Sequence, residues 1–294
     1  MGNHAVAESE FVTPLSEISG APLRESAAPV AKRRPILVVG DKFREFSSEK
    51  AVLTLSQLQG LLDIPAGLAL CEPLFLIPGQ GLGEKDIESV LARAQTSAHR
   101  DQFDFSLWHS LPKRAERALS HKHRAKNTLI SAPRRIDASL FELDFLVDED
   151  CELMDDHQTG QHLQGMLVVE AARQSFLAVT EAFLLPRDGS KSYFVFNSLA
   201  AEYKRFMFPV PALMRYRVRE RDDSGHNPRF VVDIHFEQAG QEAAKVTCGF
   251  TVMPDWRIRK IEQTLAQQAV ERHFADLGTS IAAIRPPAAA LILG

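Results

Sequence analysis

The chain has 294 residues, of which 45% are apolar and 24% are charged, as is typical of a soluble globular protein. Its formal net charge of −4 argues against a general nucleic-acid-binding function, because such proteins carry a marked excess of Lys and Arg. The sequence has no run of about 18 uncharged apolar residues that would cross a bilayer. Its three cysteines, Cys71, Cys151 and Cys248, lack the paired spacing of a zinc site or a disulfide framework. We therefore expect a cytoplasmic protein without a membrane span.

The first part of the chain predicts a leader and a small α/β region. Residues 1–34 are rich in Ala, Ser, Glu and Pro and have no sustained apolar period, so we expect them to be disordered. Residues 35–117 begin with the strand-like "PILVVGDKF", after which Ser48 is expected to cap a helix. The glycine loop "GQGLGEKD" at 79–86 lies between a predicted strand and helix, but it matches a phosphate-binding fingerprint poorly and favours a plain turn.

The second part predicts a hotdog fold, in which an antiparallel sheet wraps a central helix. The runs "NTLISAPRRI" and "LFELDFLVD" indicate strands, and residues 165–185 are apolar nearly all round, which is typical of an enclosed helix. Four further strand-like runs occupy residues 191–253. The alternative is a generic α+β sandwich. We place the hotdog domain at residues 118–254, followed by a C-terminal helix and tail at 255–294.

Charge is unevenly distributed in the stretch before that helix. Residues 112–135 contain a single acid and the bases Lys113, Arg114, Arg117, Lys122, Arg124, Lys126, Arg134 and Arg135, whereas residues 136–156 contain nine acids and no Lys or Arg. The basic run has three interpretations: a solvated face, a dock for an acidic carrier protein, or a nucleic-acid patch. Its scarcity of aromatic residues disfavours binding of single-stranded nucleic acid.

The stretch "DDHQTGQHLQGMLVVEAARQ" at 155–174 places one carboxylate, Glu170, inside the apolar helix. Burying an unpaired carboxylate is costly, so Glu170 is expected either to be paired or to have a raised pKa. Arg173 and Gln174 lie within reach on the same helix face. One interpretation is an ordinary Glu–Arg pair at a wet face. The other is a catalytic group, acting as a general base or orienting a histidine.

The loop before the helix carries the remaining candidate residues. His157 and His162 lie near a helix N-terminus, whose dipole favours the neutral imidazole that accepts a proton, although exposed or loop-packing histidines remain the alternative. Together with Asp156 they indicate a metal site only weakly, so we expect neither a metal nor a cofactor. Gly165 begins the helix, where its free N–H would stabilise an oxyanion or where a glycine would simply permit close packing.

Three stretches together resemble a known family. "ALSHKHRAKNTLIS" at 118–131, "DHQTGQHLQGMLVVEAARQ" at 156–174 and "FNSLAAEYKRFMFPV" at 196–210 are similar to the AfsA-type A-factor biosynthesis hotdog domain. The resemblance implies joining of a β-ketoacyl thioester to the hydroxyl of dihydroxyacetone phosphate, in the route to γ-butyrolactone or butenolide signals. Signal-synthase members resemble two fused hotdog repeats, whereas residues 35–117 carry no second copy of the motif.

The predicted function is therefore acyl transfer from a carrier-protein or CoA thioester to a small hydroxylated acceptor. Glu170, His157 and His162 are the expected catalytic residues, and Gly165, Arg173, Gln174 and Asp156 are the expected substrate-binding residues. The helix also resembles that of β-hydroxyacyl carrier protein dehydratases, so dehydratase or thioesterase chemistry is an alternative, and a non-catalytic acyl- or carrier-protein-binding module is another. Because a single hotdog domain buries its helix poorly alone, we expect a homodimer, and we expect no nucleic-acid partner.

Overall fold

The computed structural model describes residues 33–48, 51–68, 72–155, 159–186, 192–225 and 227–284, with side chains up to residue 278. The predicted disordered leader lies outside these ranges except for its last two residues. The end of the predicted C-terminal tail, from residue 285, also lies outside them.

The N-terminal region is a small α/β unit, as predicted. Its elements are β1 (Arg34–Val39), β2 (Val52–Thr54), α1 (Leu55–Leu62), β3 (Leu74–Pro78), α2 (Glu84–Thr96) and β4 (Phe103–Asp104). The four strands form a parallel sheet in the order β2-β1-β3-β4. The prediction that Ser48 caps the first helix is wrong, because β2 intervenes and Thr54 accepts the backbone N–H of Gln57 in a capping box.

The second region is the predicted hotdog arrangement. Its elements are α3 (Arg117–Ser120), β5 (Arg134–Arg135), β6 (Leu140–Phe145), α4 (Gly165–Val179), β7 (Ser192–Tyr203), β8 (Ala212–Asp222), β9 (Arg229–Gln238) and β10 (Gln241–Pro254). The strands form an antiparallel sheet in the order β5-β6-β8-β9-β10-β7. A π-helical turn, Thr180–Leu184, extends α4. The side chains of α4 and the inner face of the sheet share one apolar core.

The predicted strand at 127–136 is much shorter than expected. Only Arg134–Arg135 is strand, while Ile130 and Ser131 form isolated bridges. Side chains take the backbone groups that a strand would pair: the Gln174 amide oxygen accepts the N–H of Leu129 at 2.8 Å, and Arg114 donates to the carbonyl of Thr128. This segment is therefore held by α4 and by Arg114, in addition to the isolated bridge of Ile130 to Phe145 at the end of β6.

The glycine loop between β3 and α2 joins the two regions. The Gln80 amide nitrogen donates to the carbonyl of Phe145 at 2.8 Å, and its oxygen accepts the N–H of Val147 at 2.7 Å. The N–H of Gly81 donates to the carbonyl of Val147 at 2.9 Å. The carboxyl edge of the parallel sheet is thus occupied by the segment that follows β6.

A long helix, α5 (Asp255–Ile284), continues directly from β10. Ile258 is buried, whereas Ile261, Leu265 and every other side chain described from 261 to 278 are exposed. None of the helices described is long and apolar enough to pass through a membrane.

Candidate functional site

The start of α4 lies directly against β7. The Tyr203 hydroxyl donates to the carbonyl of Gly165 at 2.8 Å, and a Cβ atom added to Gly165 would lie 3.0 Å from that hydroxyl oxygen. The glycine therefore permits close packing at this position, which was one of its two predicted roles, and a larger residue would require the Tyr203 ring to shift. The loop before the helix is fixed by the N–H of Leu163, which donates to the carbonyl of Met207 at 2.7 Å.

An open groove of about 470 Å³ runs along this contact, and we name it the site groove. It is lined mainly by apolar atoms, and its walls include His162, Gly165, Val168, Tyr203, Arg205 and Phe206. The first N–H groups of a helix have no intrahelical partner, so the start of α4 offers backbone donors at this groove. Two of the predicted site residues, His162 and Gly165, therefore share one cavity.

The His162 ring is held on two sides. Its Nδ1 lies 3.1 Å from the hydroxyl oxygen of Thr159, and its ring centroid lies 4.8 Å from that of Phe206. Phe206 is 70% exposed, so it covers the histidine while facing solvent. The other predicted histidine, His157, and the predicted substrate contact Asp156 lie outside the described residues.

The Glu170 carboxylate is mostly buried and fully paired. Its side chain is 17% exposed and accepts hydrogen bonds from Arg173 Nε at 2.9 Å, Arg173 Nη2 at 3.0 Å and Gln174 Nε2 at 3.0 Å. Lys122 Nζ lies 2.7 Å from the same carboxylate. Burial by itself raises the pKa of Glu170, but the hydrogen bonds from Arg173, Lys122 and Gln174 outweigh that effect and hold the pKa below its usual value. Glu170 is therefore ionised at neutral pH.

Gln174 links this carboxylate to the segment before β5. It is fully buried; its oxygen accepts the N–H of Leu129, and its nitrogen donates to the carbonyl of Asn127 at 2.9 Å and to Glu170. Each polar atom of the amide is committed to the protein. This geometry favours a positioning role for Gln174 over the predicted contact with substrate.

The described site residues thus form two groups, one on α4 and one at its start and in the loop before it. Glu170, Arg173 and Gln174 form one cluster, and His162 and Gly165 line the site groove. Between the described atoms of His162 and Glu170 no hydrogen bond or ion pair is formed, so the expected orientation of a histidine by Glu170 is not seen for His162.

Lys122, Tyr203 and Phe206 were not among the predicted site residues. All three lie in the two stretches that flanked the central motif in the family resemblance, at 118–131 and 196–210. That location was the signal that would have found them.

Much of the basic run before α4 is neutralised within the protein. Arg114 is half-buried and donates to the carbonyls of Thr128 and Leu146, while Arg134 pairs with Asp144 at 2.7 Å. Arg124 pairs with Glu152, and Lys122 pairs with Glu170. These contacts give the four bases structural partners, mostly from the neighbouring acidic stretch, and they weaken the interpretation of this edge as a carrier-protein dock.

The comparisons with known proteins agree with this architecture. The family model described as "A-factor biosynthesis hotdog domain" matches residues 104–254, which is more than half of the chain. No curated protein matches.

Several solved structures are similar to part of the chain. A mutant thioesterase from Pseudomonas aeruginosa is 18% identical with a TM-score of 0.33, over 42% of this chain and 81% of that one. A thioesterase from Haemophilus influenzae is 16% identical with a TM-score of 0.35, over 49% and 95%. A mutant thioesterase enzyme from Staphylococcus aureus is 13% identical with a TM-score of 0.32, over 41% and 90%.

Proposed function

Since the chain belongs to the A-factor biosynthesis hotdog domain family, we propose that it transfers an acyl group from a thioester to a small hydroxylated acceptor. The acyl donor is a carrier-protein or CoA thioester, and dihydroxyacetone phosphate represents the acceptor class. Family membership supports a function on acyl thioesters. The observation that carries the finer proposal is the ionised Glu170 carboxylate, held by two cations on the helix whose first turn lines an open, mainly apolar groove.

In the proposed reaction the thioester carbonyl lies in the site groove with its oxygen at the start of α4. The acceptor oxygen attacks the carbonyl carbon, and the backbone N–H of Gly165 stabilises the negative charge that develops on the carbonyl oxygen. The carbon–sulfur bond then breaks, an ester forms, and the thiol leaves with the proton that the acceptor gave up.

His162 is the proposed acceptor of that proton. When its Nδ1–H donates to the Thr159 hydroxyl, Nε2 carries the lone pair that takes the proton from the attacking hydroxyl and returns it to the thiolate. His157, in the same loop, is the alternative base. Asp156 remains a proposed substrate contact beside it.

Glu170 is proposed to orient the acceptor instead of accepting its proton. A general base works best when its pKa is near the operating pH, and the pKa of Glu170 is lowered. A carboxylate that is ionised at neutral pH is better suited to accept a hydrogen bond from the acceptor and to hold Lys122 and Arg173 in place. The Arg173 side chain is 34% exposed, and its guanidinium is the proposed contact for an anionic acceptor.

A second copy of the chain is the proposed partner at β7. This strand is at the end of the sheet order, and it pairs on one side with β10. Met166 on α4 is 58% exposed, and Tyr193, Leu199 and Tyr203 on β7 are 42%, 46% and 52% exposed. An exposed apolar edge strand is a template for pairing, and two-fold symmetry brings the same edge of both copies together.

One observation favours a second candidate, a non-catalytic acyl-binding module. Glu170 already receives four close contacts from cationic and amide groups, as a structural carboxylate also does. In that case the site groove binds the acyl thioester without turning it over.

The test is product analysis with a β-ketoacyl carrier protein, with and without dihydroxyacetone phosphate. Acceptor-dependent release of the carrier thiol, with an equal amount of acyl ester, is the expected result. Release of thiol without acceptor would identify a thioesterase, and loss of water from a β-hydroxyacyl carrier protein would identify a dehydratase. Saturable binding with no turnover of any of these thioesters would identify the binding module and overturn the transferase.

A further inference from the structure

A second groove lies on the other side of Phe206. Its volume is about 700 Å³, and its walls include Phe46, Gln161, Phe206, Phe208, Val210 and Ala243. Arg205 and Phe206 line both this groove and the site groove, so the two cavities share a wall. Phe46 comes from the N-terminal α/β region and stacks on Phe208, with ring centroids 5.7 Å apart. We name this cavity the tail groove.

The most buried polar side chain of the tail groove forms its hydrogen bonds with backbone groups of the protein. Gln238 is 9% exposed; its oxygen accepts the N–H of Phe208 at 3.0 Å, and its nitrogen donates to the carbonyls of Phe208 at 2.8 Å and Val210 at 3.0 Å. The wall around it therefore presents mainly carbon to an incoming molecule. A ligand gains there by burying apolar surface.

The loop that carries Phe206 is fixed on both sides of it. The N–H groups of Lys204 and Arg205 donate to the carbonyl of Ala243 at 2.8 and 3.0 Å, and the carbonyl of Met207 accepts the N–H of Leu163 at 2.7 Å. Phe206 lies between these anchors with 70% of its surface exposed. It forms a ridge between the groove beside His162 and the groove beside Phe46.

We propose that the tail groove binds the distal part of the acyl chain, which crosses the Phe206 ridge, and that the α/β region thereby contributes to acyl-length selection. The proposal rests on the proposed function for the position of the thioester in the site groove. The proposed occupant is a straight saturated chain. The tail groove continues the thioester site and has a mainly apolar wall, to which the stacked rings of Phe46 and Phe208 contribute. Each methylene that enters it should tighten binding about fourfold, the equivalent of about 0.8 kcal/mol.

The test compares dissociation constants of butanoyl-, octanoyl- and dodecanoyl-CoA, measured by calorimetry. Gln161→Trp places a large side chain in the tail groove from an exposed position, and Gln263→Trp makes the same change on exposed α5 as a matched control. We expect the affinity of the wild type to rise with chain length. Gln161→Trp should weaken dodecanoyl-CoA binding at least tenfold and leave butanoyl-CoA within twofold, while Gln263→Trp changes neither.

A second variant probes the α/β side of the groove. Phe46→Ala removes the ring that stacks on Phe208 and should weaken dodecanoyl-CoA binding several-fold while leaving butanoyl-CoA within twofold. Equal affinity of the wild type for the three chain lengths would overturn the proposal that the tail groove binds the acyl chain. Dodecanoyl-CoA binding by Gln161→Trp at the wild-type level would also overturn it.

Free dodecanoate separates this inference from the proposed function, because it has the chain but no thioester. Dodecanoate that binds the wild type and is lost in Gln161→Trp, in a protein that turns over neither acyl-CoA nor a β-ketoacyl carrier protein, would refute the transferase and retain the tail groove. If neither dodecanoate nor any acyl-CoA binds the wild type, the tail groove proposal falls, and the carrier-protein assay alone decides the proposed function.

Discussion

Two carboxylates in different parts of the hotdog region have nearly the same surroundings. Glu170 on α4 and Asp233 on β9 have side chains that are 17% and 11% exposed. Each is bound by a lysine, an arginine and a neutral donor: Lys122, Arg173 and Gln174 for Glu170, and Lys245, Arg219 and Thr247 for Asp233. Burial raises the pKa of each carboxyl, but in both cases the donors outweigh burial and lower it.

Their positions differ. Asp233 is on the face of the sheet that also carries Arg215 and Arg219, whose side chains are 45% and 47% exposed. A buried ion-paired carboxylate with a lowered pKa therefore does not by itself identify a functional site. The two carboxylates differ in that Glu170 lies on the helix whose first turn lines the site groove.

Histidine variants at the site groove and on the outer face of the sheet should give the largest difference in turnover. His162→Ala removes the proposed base, and turnover of an acyl thioester should fall by roughly 10² to 10⁴. His235→Ala, which removes the imidazole held 3.1 Å from Glu242 on β10, should leave turnover within a few-fold. Steady-state kinetics on both variants measure this, and an equal loss in both would remove the distinction.

The dimer surface gives the next largest effect. Leu199→Arg places a charge on exposed β7, and it should raise the dimer dissociation constant at least tenfold, because burial of one leucine contributes about 1.5–3 kcal/mol and the two-fold axis counts the change twice. Arg217→Glu on exposed β8 is the control and should leave association unchanged. Sedimentation analysis of both variants checks this; an unaffected dimer in Leu199→Arg would place the interface elsewhere.

A third carboxylate, Glu149, extends the comparison because its pKa is shifted in the opposite direction. We expect its effect to be smaller than those of the histidine and dimer variants. Glu149 accepts the N–H of Lys42 at 2.8 Å between the two regions, and burial, together with the nearby acids Asp41, Asp86 and Asp150, raises its pKa to about 7 despite that hydrogen bond. The folded state therefore binds this proton more tightly than the unfolded chain, so stability should fall as pH rises from about 4.5 to about 7.

Glu149→Gln should remove that fall. Melting temperatures of the wild type and the variant, measured across this pH range, should converge at the acid end and separate toward neutral pH with the variant more stable. Parallel curves would show that the pKa of Glu149 is not raised in the folded protein.

The sequence predicted the parts of this architecture that depend on local pattern. The apolar run at 165–185 and the alternating runs after it indicated the wrapped helix and its sheet, and the three-residue spacing of Glu170 and Arg173 indicated their pair. Lys122 contacts Glu170 from 48 residues away along the chain, and Tyr203 contacts Gly165 from 38 residues away. A local sequence pattern does not predict such distant contacts. The same limit applies to the segment before β5, where the side chain of Gln174, 45 residues away along the chain, accepts the N–H of Leu129.

The comparison of Glu170→Gln with Asp233→Asn tests the central claim most directly, namely that the start of α4 is where an acyl thioester reacts. Each change keeps the size of the side chain and removes the charge from a lysine–arginine-bound carboxylate. Turnover of a β-ketoacyl carrier protein with dihydroxyacetone phosphate, and the melting temperature, are measured on the same preparations. We expect Glu170→Gln to lose about 10²-fold or more in turnover while remaining folded, because an oriented charged group is missing where the reaction occurs, and Asp233→Asn to stay within a few-fold. Full activity in Glu170→Gln, or an equal loss in both variants, would contradict the account.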